Sequence, residues 1–168
     1  MRVLVTGGAG MVGSHVAELL ESRNDEVVII DNFATGRPEH LNNLTKADKI
    51  VDSISEEKIY EEISKKYKSF DAIVHTAASF ANGNDWTDHI KTNVLGTALV
   101  TRLAQEHNCR LIYFQTALCY GLNPTKQPVP LDYPREPMAS SYAISKTAGE
   151  LYIEQSGIEF VTFRLANI

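Results

Sequence analysis

One glycine-rich turn constrains this chain more than any other feature. Thr6-Gly7-Gly8-Ala9-Gly10-Met11-Val12-Gly13 follows directly on a short apolar run, Arg2–Thr6, and opens a helical pattern, Met11–Arg23. The spacing Gly7-x-x-Gly10-x-x-Gly13 suits three different jobs. Gly7 permits the tight turn out of a strand, Gly10 lets backbone approach a diphosphate, and Gly13 lets the helix pack close to the sheet. The helix start then points free N–H groups and a positive dipole end at the phosphates. Glycines in strand–turn–helix context at the head of a chain are far more specific than the bare pattern.

The rest of the chain has the rhythm that such a unit needs. Six short runs read as strands: Arg2–Thr6, Glu26–Asp31, Lys49–Asp52, Asp71–His75, Arg110–Gln115 and Glu159–Arg164. Each is rich in Val, Ile or aromatics and apolar on both faces, as expected of parallel strands covered on both sides. Between them lie helical patterns at Met11–Arg23, Ser55–Tyr67, Trp86–Glu106 and Ser141–Gln155. The second has an Ile59, Ile63, Tyr67 stripe and capping-box spacing at Ser53 and Glu56. The third has an Ile90, Val94, Ala98, Leu103 stripe, and Gly157 is placed to stop the fourth. Alternation of this kind predicts right-handed crossovers and an α/β fold with a doubly wound parallel sheet. One segment breaks the rhythm: 121–140 holds five of the six prolines and cannot be regular helix or central strand. It is either a surface connection or a substrate-contacting loop.

Composition narrows the functional classes. The chain has 168 residues, 43% of them hydrophobic, enough for a core and too many for disorder. A net charge of -5 gives no electrostatic reason to expect nucleic acid or an anionic membrane as partner. No run approaches the ~20 apolar residues of a membrane helix. Two cysteines, Cys109 and Cys119, make no disulfide framework. Free thiols and the lack of a targeting signal point to the cytoplasm. The five histidines show no metal-ligand spacing, and no metal is expected. His75 reads as a packing residue at a strand end, and Cys119 as a small buried one.

Two further features carry chemistry. Asp31 ends the second strand, 18 residues after Gly13. A carboxylate there accepts hydrogen bonds from an adenosine ribose and repels a 2′-phosphate, which favours NAD over NADP. Arg37 close by works against that preference. Tyr142 and Lys146 stand at i and i+4 at the start of a helix and share a face. A free tyrosine titrates near ~10, so a neighbouring ammonium and a positive nicotinamide would be needed to favour phenolate. Tyr142 would then take a proton from a substrate hydroxyl as hydride leaves the same carbon. Thr116, ending the fifth strand, offers a hydroxyl to the substrate oxygen.

These motifs together resemble the extended short-chain dehydrogenase/reductase family, and within it the NAD-dependent epimerase/dehydratase group acting on nucleotide sugars. The resemblance runs from the glycine loop through Asp31-Asn32, Thr35-Gly36-Arg37, Asp52, His75-Thr76-Ala77-Ala78, Asn93-Val94-x-Gly96-Thr97, Thr116, Tyr120-Gly121 and Tyr142/Lys146 to Arg164-x-x-Asn167. It implies an NAD-binding Rossmann fold over residues 1–168. It also implies a further strand and a substrate-binding lobe beyond Ile168, so that this chain alone would not turn over. Gly7, Gly10, Met11, Val12 and Gly13 would hold the diphosphate. Asp31 and Asn32, with Thr35 and Gly36, would hold the adenosine ribose, and Asp52 and Ser53 would lie by the adenine. Thr76, Ala77 and Ala78 would line the cofactor, and Asn93 would support the site. Thr116, Tyr142 and Lys146 would be the catalytic triad, Lys146 also bonding the nicotinamide ribose. Asn167 would reach the substrate beside Thr116 and Tyr142.

Departures from the family pattern choose among its reactions. Dehydratases carry an Asp-Glu pair directly after the threonine, where this chain has Ala117-Leu118, and decarboxylating relatives carry an acid at the position of Leu118. The resemblance is therefore closest to UDP-hexose 4-epimerases, which the Asp31–Arg37 stretch also resembles. A dehydrogenase, reductase or dehydratase of the family is the alternative. A non-catalytic NAD-binding module is the alternative of another class. The family implies a nucleotide-sugar substrate, a UDP-sugar foremost, and a homodimer through a bundle of the third and fourth helices.

Overall fold

The computed structural model describes residues 1–80 and 85–166. Six parallel strands form one sheet: β1 (Arg2–Thr6), β2 (Glu26–Asp31), β3 (Asp48–Val51), β4 (Ala72–His75), β5 (Arg110–Thr116) and β6 (Phe160–Leu165). Their order is β3-β2-β1-β4-β5-β6, the doubly wound Rossmann arrangement. The helices are α1 (Met11–Ser22), α2 (Glu57–Lys66), α3 (Trp86–His89), α4 (Thr97–Glu106) and α5 (Ser141–Gln155).

Alternation along the strands explains why they are apolar on both sides. Val3, Val5, Val27, Ile29 and Val74 face one way and bury Ala17 and Leu20 of α1. Leu4, Val28, Ile30, Ile73, Leu111 and Tyr113 face the other way, against side chains of α2, α4 and α5. The sheet is thus the shared wall of two cores, and each βαβ step places its helix over one of them.

Two local expectations need correction. Trp86–Glu106 is not one regular α-helix, because Ile90–Gly96 between α3 and α4 is π-helical. Each wider turn takes up an extra residue and re-aims the side chains beyond it. The expected stripe fails for that reason: Ile90 is 58% exposed, while His89, Asn93 and Thr97 are buried. The second correction concerns α2, which starts at Glu57 without a capping box. Ser53 Oγ instead accepts from the Ser55 N–H (3.3 Å), and the Glu56 N–H donates to the Ser53 carbonyl (3.1 Å). Of the segment 121–140, only Ser140 lines the cleft described below. Gly157, just beyond α5, does stop the helix, with a left-handed φ of 73°.

Burial ranks the strands by sensitivity. Leu4→Ala, in a fully buried central strand, is expected to cost about 2–5 kcal/mol. Val161→Ala, on the 39% exposed edge strand, should stay within about 0.5 kcal/mol. Urea unfolding of the two variants checks the difference.

Candidate functional site

At β1 and β4 the winding of the sheet reverses, and a cleft opens beyond the carboxyl ends of the strands. Its volume is about 1180 Å³, and all six strand ends border it, through Gly7, Asp31, Asp52, Thr76, Thr116 and Leu165.

The glycine loop is built by close contact. Gly7 turns at φ 70°, and a Cβ there would sit 2.6 Å from the Ala77 nitrogen. A Cβ on Gly13 would stand 2.2 Å from the Gly7 carbonyl oxygen. It would also stand 2.8 Å from Thr76 Oγ1, so Gly13 lets α1 close onto the loop and the end of β4. Gly10 is the helix N-cap, and among the described residues no side chain caps the first turn of α1. That turn, with Met11 and Val12, borders the cleft with its N–H groups unclaimed by a cap. An uncapped helix start in a glycine cradle fits a diphosphate.

Asp31 is buried, and both its oxygens already accept backbone hydrogen bonds: Ala9 N–H to Oδ2 and Phe33 N–H to Oδ1, each 2.8 Å. It ties the glycine loop to β2 while keeping lone pairs for a ribose. Asn32, Thr35, Gly36 and Arg37 follow on the same wall, and Asp52 and Ser53 stand beyond β3. Thr76 donates to the Thr6 carbonyl (2.7 Å), and Ala77 and Ala78 continue that edge of the cleft.

Asn93 does not line the cleft; it acts from behind it. Its Oδ1 accepts the Ser79 N–H (2.8 Å), and its Nδ2 donates to the Ser79 carbonyl (2.8 Å) and to Ser145 Oγ (3.0 Å). One buried amide thus joins the loop after β4 to α5. Thr116, Tyr142 and Lys146 all border the cleft. Asn167 lies outside the described residues.

The comparisons fit this geometry. The family model described as NAD dependent epimerase/dehydratase family matches residues 3–168. The chain belongs to that family. WbmH of Bordetella bronchiseptica, solved in complex with NAD+, superposes with a TM-score of 0.94 at 50% identity over 99% of this chain and 55% of that one. UDP-glucose 4-epimerase of Thermotoga maritima, solved with UDP-glucose, gives 0.88 at 29% identity over 98% and 55%. UDP-glucuronic acid decarboxylase 1 of Danio rerio is 30% identical over 99% of this chain and 41% of its own length. The chain spans about half the length of the relatives it matches.

Within this member of the epimerase/dehydratase family, burial sets the charge state of the Tyr–Lys pair. Lys146 is fully buried, which pushes its ammonium down to about 7 against a smaller opposing pull from Glu150. Its Nζ lies 4.1 Å from the centre of the Tyr113 ring. Burial pushes the Tyr142 phenol above its usual range. Burial is the cause, and the positive nicotinamide that would favour phenolate comes only with bound cofactor.

Several cleft residues carry no motif. Phe80 sits edge-on to Tyr142, with ring centres 6.5 Å apart. Asp88 accepts from the Ser79 hydroxyl, and Asp85 caps α3 by accepting the Asp88 N–H (3.0 Å). The D-x-x-D spacing made that cap readable. Phe80 had no such signal. His75 is buried between Thr6 Oγ1 (2.6 Å) and Thr97 Oγ1 (2.9 Å), a structural role. Cys119 is buried and its thiol pushed up to about 11, which makes a poor nucleophile. No cluster of metal-binding side chains occurs among the described residues.

The buried lysine links stability to pH. Its folded value of about 7 lies below the usual 10.5, so between those limits the unfolded chain binds the extra proton. Stability then rises with pH across that window, by at most about 1.4 kcal/mol per unit from this group. Lys146→Met should be more stable than the parent at pH 7, and the advantage should shrink towards pH 10. Urea melts of both proteins at several pH values measure it.

Proposed function

We propose that this chain is the NAD-binding part of a UDP-hexose 4-epimerase, inverting C4 through a transient 4-keto sugar. The observation that carries the reading is the meeting of Thr116, Tyr142 and Lys146 in the same cleft as the uncapped glycine loop. The likeness to the Thermotoga maritima UDP-glucose 4-epimerase supports it.

The residues divide the work as follows. Met11, Val12 and the glycines cradle the diphosphate, Asp31 and Asn32 take the adenosine ribose, and Lys146 takes the nicotinamide ribose. NAD bound there would supply a reversible hydride acceptor. Tyr142 removes the proton of the 4-hydroxyl and later returns it. The Thr116 hydroxyl donates to the same sugar oxygen as charge develops there.

Leu118 bears on the choice of reaction. It lines the cleft with an apolar side chain at the position where decarboxylases of the family carry an acid. Ala117 likewise transfers no proton, which disfavours water elimination. These residues favour epimerisation over the decarboxylase activity that other relatives carry.

The test is turnover of UDP-glucose and UDP-galactose in the presence of NAD by a full-length protein that carries this chain together with a substrate-binding lobe. Interconversion with no build-up of NADH absorbance is expected. Tyr142→Phe should lose about 10²–10⁴-fold of the rate and keep its affinity for NAD. Stoichiometric NADH would replace the reading with a dehydrogenase. NAD binding without UDP-sugar binding would favour a non-catalytic module.

A further inference from the structure

Glu150 is fully buried on α5, one turn beyond Lys146, and nothing in the proposed chemistry uses it. Three segments converge on its carboxylate. Arg164 of β6 donates to Oε1 (2.8 Å), and Arg135 of the proline-rich segment lies 3.1 Å from Oε2. Gln115 of β5 donates from Nε2 to Oε2 (3.0 Å). The other end of the Gln115 amide faces the site, where its Oε1 accepts the backbone N–H of Thr116 (2.8 Å). Thr116 Oγ1 in turn accepts the Leu118 N–H (3.2 Å).

The three candidate catalytic residues stand on two elements, Thr116 on β5 and Tyr142 and Lys146 on α5. The path Glu150–Gln115–Thr116 joins those elements directly beneath the cleft. Two arginines hold the carboxylate in place, so its acceptor oxygens have fixed positions. The amide of Gln115 is 2% exposed, and turning it would strand two polar atoms without partners.

We propose that Glu150 is a positioning residue, which through Gln115 fixes the backbone at Thr116 and so sets the Thr116 hydroxyl against Tyr142 and Lys146. The value of this for catalysis rests on the epimerase reading; the mechanical link does not.

Amide hydrogen exchange on this chain tests the link without turnover. Gln115→Leu cuts the path and leaves both arginines on Glu150, and Glu150→Gln removes the fixed acceptor charge. Both variants should raise exchange at Thr116 about tenfold relative to Tyr113 in the same strand. Arg135→Ala, which frees the loop, should lower the melting temperature without an effect confined to Thr116. If Thr116 and Tyr113 change in step in Gln115→Leu, or if Glu150→Gln folds and leaves Thr116 exchange alone, the proposal is overturned. If Glu150→Gln does not fold, Gln115→Leu decides. Where the parent interconverts UDP-hexoses, Gln115→Leu should lower kcat by about 10²-fold with KM retained, and an unchanged kcat would overturn the proposal. A full-length parent without turnover would remove the epimerase reading, and the exchange result on this chain would still decide the link.

Discussion

The seam between β1 and β4 is the constraint on which the cleft depends. Here the chain winds away in opposite directions, and two strand ends must part while their backbones stay close. Thr76 bridges them, its N–H and its hydroxyl both donating to the Thr6 carbonyl at 3.1 and 2.7 Å. Gly7 turns in a space where any side chain would strike Ala77, and Gly13 brings α1 onto that turn. The start of α1 is thereby held with its free N–H groups towards the open ends of the strands. Moving the helix by the width of one methyl group would fill the space that the cradle leaves for a ligand.

Below that seam the interior is unusually polar. Thr6, His75 and Thr97 form a buried chain across the sheet and α4. Tyr113 donates to the Lys146 carbonyl (2.9 Å) and lays its ring under the Lys146 amine. Burial keeps His75 well below its usual value, so this chain of hydrogen bonds holds a neutral ring at neutral pH. Farther out, Glu150 meets Arg135 and Arg164. Buried ion pairs contribute little net stability, since desolvation offsets most of the attraction. What such groups add is geometry, because each has few arrangements that leave no partner unsatisfied. The two apolar clusters on either face of the sheet supply the stability against which this polar layer is held.

The fold was legible because strand and helix periods follow backbone rules that act locally. All six strands and the two long helices α1 and α5 stand within two residues of their expected places. The glycine loop and the Tyr142/Lys146 pair also read directly, since each needs particular residues at a fixed spacing. What failed depended on contacts between distant segments. The π-helical turns at Ile90–Gly96 have no spacing signal of their own; they exist because Asn93 is drawn inward to Ser79 and Ser145. The burial of Lys146, which lowers its ammonium, has no spacing signal either, because sequence shows its neighbours along the chain and not its surroundings. Gln115 looked like an ordinary strand residue, and its role needs Glu150, 35 positions away.

Burial also decides how the Tyr–Lys pair can work. With the phenol pushed up and the amine pushed down to about 7, burial alone favours the uncharged form of both groups. The epimerase reading needs Tyr142 as phenolate, which the positive nicotinamide of bound NAD would favour, and taking the substrate proton would then leave a neutral phenol. In that reading Thr116 would donate to the substrate oxygen. The desolvation that shifts both groups also makes the site costly to fold, and the Glu150 carboxylate one turn away opposes part of the shift at Lys146.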